Sequence, residues 1–167
     1  SGFRGNALSA KLVSQCAGFF QINFPERDGQ MSTVPPIQTN STNNDPRVEA
    51  VFEDIRETRG SGFINNFWRY LAFDPDLLAQ TWAEVKAVMG TPSDLDPLTK
   101  EMIYMAVSIA NSCPYCVHSH TAAAKAKGMT DGQYADLLKV VSLAAKTNHL
   151  VTGLQVPVDP EFDHEVS

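Results

Sequence analysis

At 167 residues, 43% of them hydrophobic and 19% charged, the chain is sized for one folded domain with an ordinary core. A net charge of −6 without any Lys/Arg-rich stretch argues against nucleic acid or an anionic membrane as partner. The longest apolar run, Met102 to Ala110, contains Ser108 and falls far short of the ~18–20 residues that span a bilayer.

Taken in chain order, Ala7 to Phe20 is compatible with a short helix, and Gln30 to Asn44 is Pro-, Ser-, Thr- and Asn-rich. That composition buries little, so residues 1–44 read as an extension or linker. Asp followed by Pro then opens three apolar-periodic runs. Asp45-Pro46 precedes Val48, Val51, Phe52 and Ile55; Asp74-Pro75 precedes Leu78, Trp82, Val85 and Met89; Asp96-Pro97 precedes Leu98, Met102, Met105 and Ile109. Each Asp can accept from free amides of a first helical turn, and Pro gives up an N–H that has no helical partner there. Between the first two runs, Phe63 to Phe73 predicts a further helix with Phe63, Phe67, Tyr70 and Leu71 facing inward.

Cys113 to Lys127 predicts a helix stopped by Gly128. Thr130 to Gln133 is a capping box opening a helical stretch to about Leu150, in one or two pieces, ended by Gly153 and Pro157. Residues 159–167 read as a polar tail. No alternating strand pattern occurs, so the expected fold is an all-α bundle occupying residues 45–158.

The chemistry gathers at Cys113-Pro114-Tyr115-Cys116. Three cysteines, two of them spaced C-x-x-C, do not form the disulfide framework of a secreted domain, and they point to the cytoplasm. Pro114 suits the first helical position, which makes Cys113 the cap residue. Free amides and the positive helix end favour a thiolate at either sulfur. His120 lies four residues after Cys116 and seven after Cys113, on the same helical face, where an imidazole can take a thiol proton. Glu101 is nine residues before Ala110, ~13 Å along its helix, while His120 is seven beyond Cys113, ~10 Å. If Asn111-Ser112 turns the chain back, the carboxylate comes level with the imidazole and can orient it, although spacing alone favours a Glu facing solvent. His118 lies ~200° round the helix from Cys116 and points elsewhere.

A structural zinc site is the rival reading, but zinc takes four ligands and one helix face offers three, with only His149 as a distant fourth. No metal and no cofactor are therefore expected. Cys16 reads as a free thiol without a role. Trp68, Trp82, Tyr104 and Phe67 read as core or as subunit contacts.

The run from Glu101-Met102-Ile103 through Ala110-Asn111-Ser112-Cys113-Pro114-Tyr115-Cys116-Val117-His118-Ser119-His120 to Gly128-Met129 resembles the carboxymuconolactone decarboxylase superfamily. Within it, the pattern of Glu, eleven residues, C-x-x-C, three residues and His is similar to the alkylhydroperoxidase AhpD-like, peroxidase-related branch. The resemblance covers roughly residues 63–158. It implies trimers or hexamers, a hydroperoxide substrate, and a thiol or dithiol electron donor. It also implies Cys116 as the peroxidatic thiol, Cys113 as the resolving thiol, and Glu101 with His120 as a proton relay. Tyr115 departs from the pattern, standing where AhpD proteins carry a His; a phenol relays protons poorly near neutral pH. Two other classes stay open: a lyase like the superfamily's namesake, which needs no C-x-x-C, and a non-catalytic stress-response assembly.

Overall fold

A computed structural model describes residues 32–39 and 41–162, and the expected helix over 7–20 and Cys16 lie outside them. The chain divides between Pro35 and Pro36, and the unit from Pro36 on carries the helices described below. They are α1 (Pro46–Arg59), α2 (Asn66–Leu71), α3 (Pro75–Val85), α4 (Pro97–Ala110), α5 (Pro114–Ala126) and α6 (Asp131–Leu154). A π-helical turn, Lys86–Gly90, extends α3, and a single 3₁₀ turn spans Pro160–Phe162. Among the described residues there is no strand. The fold is all-α, as the sequence predicts.

The Asp-Pro starts act through their side chains. Asp45 accepts from the amide of Arg47, Asp74 from those of Asp76 and Leu77, and Asp96 from those of Leu98 and Thr99. Thr130 and Gln133 close the capping box reciprocally at the start of α6.

Two hydrophobic cores share this work. The first joins α1, α2 and α3 through Val48, Phe52, Ile55, Ile64, Trp68, Ala72, Leu78 and Trp82, with the Trp68 and Trp82 rings edge-on at 5.3 Å. Phe52, Ile55 and Leu78 are wholly enclosed, which contributes about 1.5–3 kcal/mol each. Ile37 packs against this core, its amide donating to Arg69 O. The packed unit therefore begins at about residue 36, ahead of Asp45. The second core is smaller, made of Met105, Ala124, Met129 and Leu137 on α4, α5, α6 and the α5–α6 turn.

Two expectations need correction. The inward face of the second predicted helix is led by Ile64, Trp68 and Ala72, with the predicted Leu71 packed against the same core, whereas Phe63 is 70% exposed and Phe67 43%. Ile64–Trp68–Ala72 and Phe63–Phe67 both have helical spacing; the indole won because it meets Trp82 and the Arg59 guanidinium. The last helix also runs as one piece through Gly153 and stops at Gln155, which takes the left-handed conformation. Gly costs a helix only ~1 kcal/mol, too little to end one of this length.

Candidate active site

The turn between α4 and α5 fixes where the cysteines stand. Cys113 N–H donates to Ser108 O and Ser112 N–H to Ile109 O, the bond pair of a Schellman ending. Ser112 occupies the left-handed position with φ 53, a place that usually goes to Gly and costs another residue roughly 1 kcal/mol. The chain emerges with Cys113 as the cap of α5 and Pro114 as its first helical residue.

The two Sγ atoms lie 2.6 Å apart, and the Cys116 amide donates to Cys113 Sγ at 3.4 Å. With Cys113 ionised, the Cys116 S–H is a second donor to it. That thiol bond and the amide hold the Cys113 thiol below its ordinary value. Burial first, then the adjacent Cys113 sulfur, push Cys116 up to about 11. Of the two thiols, Cys113 is therefore the more readily ionised.

Seven residues into α5, His120 Nδ1 lies 2.6 Å from Glu101 Oε2 on α4, the level meeting that the helix arithmetic predicts. Glu101 is buried, and its other oxygen accepts from Lys127 Nζ at 3.0 Å. Burial raises the Glu101 carboxyl, but the bonds from His120 and Lys127 and their charges outweigh it and hold the group below the usual carboxylate range. The ionised carboxylate selects the His120 tautomer with the proton on Nδ1, leaving Nε2 as the proton acceptor. The Tyr104 ring stacks on the imidazole at 3.7 Å, fixing its plane. Burial and the charge of the two sulfurs push the Tyr104 hydroxyl up, so it stays a neutral phenol.

Tyr115, between the cysteines, has a structural task. Its hydroxyl accepts from Asn65 Nδ2 and from the Phe67 amide, each at 3.0 Å, and Asn65 Oδ1 accepts from Arg59. The phenol thereby ties the start of α5 to α2.

The four residues singled out from sequence thus occupy one region in two adjoining pairs. His118 and His149 are exposed and stand apart. Among the described residues, no group of three or more His, Cys, Asp and Glu is arranged to hold a metal. Sequence reasoning missed Lys127 and assigned Tyr104 only to packing. Both were findable by spacing: Lys127 is seven residues after His120 on its face, and Tyr104 three after Glu101.

An all-α bundle presenting a paired-thiol helix cap beside a buried Glu–His pair defines a class of thiol-site protein. The family model described as the carboxymuconolactone decarboxylase family matches residues 75–159, and the chain belongs to that family, in its AhpD-like branch. The crystal structure of the alkylhydroperoxidase AhpD core from Rhodospirillum rubrum is 57% identical, with a TM-score of 0.78, covering 81% of this chain and 100% of that one. The chain is also similar to an (R)-2-haloacid dehalogenase of Pseudomonas putida, 23% identical over 136 residues. That match covers 81% of this chain but 45% of the dehalogenase, so the chain spans less than half of it. Among the described residues, no helix is long and apolar enough to cross a membrane.

Proposed function

We propose that the chain is a thiol-dependent peroxidase in which Cys116 reduces a hydroperoxide, Cys113 resolves it, and His120 oriented by Glu101 moves the proton. The observation that supports this best is the 2.6 Å His120–Glu101 contact on the helix that also carries two sulfurs in contact. Cys116 gives up its proton and its sulfur attacks the terminal oxygen of the hydroperoxide. The O–O bond breaks, the leaving alkoxide collects a proton from the imidazolium, and Cys116 becomes a sulfenic acid. Cys113 then attacks that sulfur and expels water, closing a disulfide. The sum is one hydroperoxide and two thiols converted to one alcohol, one water and one disulfide, which an external thiol or dithiol reduces. The two sulfurs carry both electrons, so no cofactor enters, and the cycle suits a reducing compartment such as the cytoplasm.

Adding one equivalent of an organic hydroperoxide to the reduced protein, followed by alkylation and peptide mapping, tests the reading. Cys113 and Cys116 are expected in one disulfide-linked peptide; if both remain alkylatable, the peroxidase reading falls.

We also infer a homo-oligomer, a trimer or hexamer. Leu137 is the one buried residue of α6, while Val140, Leu143 and Leu154 are 66%, 62% and 73% exposed. An apolar face of that extent is normally covered. Light scattering at micromolar concentration should give a mass well above the 18.3 kDa of one chain; a monomer mass would refute it.

A further inference from the structure

Both sulfurs open onto a cavity of about 400 Å³ whose wall includes Val88, Leu95, Ile103 and Val107. One wall residue is out of keeping with these. Lys100 is buried, with 9% of its surface exposed. Its partners among the described residues are two neutral carbonyls, Val88 O and Thr91 O, each at 2.8 Å. An ammonium carries three N–H donors, so one is left unspent on a side chain that lines the cavity. Among the described residues the ammonium has no carboxylate counter-charge, and an anion in the cavity would supply one.

The geometry sets how far such an anion stands from the sulfurs. Cys113 hangs from Ser108 O by its amide at 2.9 Å, and Ser108 is eight residues, roughly 12 Å, along α4 from Lys100. A ligand reaching from one to the other has an anionic head, an apolar body of medium length and a reactive far end. One unspent N–H suits a singly charged carboxylate better than a phosphate, which calls for several donors.

We infer that the preferred substrates are hydroperoxides of medium-chain apolar carboxylic acids, with the carboxylate on Lys100 and the hydroperoxide at the cysteine pair. This rests on the peroxidase reading for its chemistry, but the binding half stands without it. The competing account is that Lys100 does no more than close the carbonyls of the turn after α3.

The experiment uses the whole chain in two arms. In the first, calorimetry compares decanoate with methyl decanoate on the native protein and on Lys100→Met and Lys100→Gln, the Gln keeping neutral N–H donors for the two carbonyls. Decanoate is expected to bind the native protein at least about tenfold more tightly than the ester, a preference that both variants lose. In the second, kcat/KM is measured for ω-hydroperoxydecanoate and for its methyl ester. The acid-to-ester ratio is expected at about ten or more in the native protein and near one in both variants. Equal binding of acid and ester, or a preference kept in Lys100→Gln, overturns the carboxylate site. Selective decanoate binding with no turnover of either hydroperoxide overturns the substrate assignment, and the peroxidase reading falls with it only if an organic hydroperoxide also leaves Cys113 and Cys116 alkylatable.

Discussion

Replacing Cys116 with Ser is expected to lower hydroperoxide turnover by roughly 10³-fold or more and to leave no sulfenic acid on the protein. Cys113→Ser should also fail to turn over repeatedly, yet still form a sulfenic acid on Cys116 within one cycle, because only the resolving step is lost. The lowered Cys113 thiol argues the other way, since the thiolate is the attacking form. Two considerations outweigh it. A sulfur whose thiol sits near 11 is the stronger nucleophile once ionised, and Cys116 has proton acceptors available in Cys113 Sγ at 2.6 Å and in His120 one turn along its helix face. The stabilised Cys113 thiolate is in turn the better leaving group when an external thiol opens the disulfide at Cys116. A sulfenic-acid trap followed by peptide mass spectrometry reads the outcome. Label on Cys113 in the Cys116→Ser protein, with none on Cys116 in the Cys113→Ser protein, would reverse the roles.

The helix starts were legible because each rests on local chemistry: an Asp oxygen, a Pro at the first position and free amides within three residues. The level of Glu101 and His120 followed from rise per residue once Asn111-Ser112 was taken as a turn, but that the carboxylate faces inward rather than solvent did not. Which face of a helix turns inward was not legible. Ile64–Trp68–Ala72 and Phe63–Phe67 have the same spacing, and the choice lay with Trp82 on another helix. Lys100 was hidden for a related reason. Its partners lie nine and twelve residues earlier, in a π-helical turn and the residue after it, which apolar periodicity does not signal. Tyr115 looked like a loss of proton-relay capacity, and its bonds to Asn65 and Phe67 became visible only when α2 was seen to lie against the start of α5.

His120→Ala is expected to slow sulfenic-acid formation by roughly 10²–10³-fold, the usual scale for removing a positioned acid–base group. Glu101→Gln should slow it by about tenfold, because Glu101 touches the imidazole and acts through its tautomer and orientation. The two effects should not add, since without His120 the carboxylate has no ring to orient. Glu101 leaves a second signature that His120 alone cannot. Its carboxyl is held below the ordinary range in the folded chain, so its ionisation contributes stability in full above the unfolded value near ~4.3. That contribution is lost as pH falls through the lower, folded value. At pH 7 the native protein should therefore be about 1–2 kcal/mol more stable than Glu101→Gln, a figure kept small because Lys127 is partly solvated. As pH falls below about 5 the gap should progressively close. Urea melts of both proteins at these pH values, run beside stopped-flow measurement of peroxide reduction, separate the two roles. A gap that widens in acid means the carboxyl is protonated in the folded state, and an unchanged rate in His120→Ala removes the imidazole from the proton path.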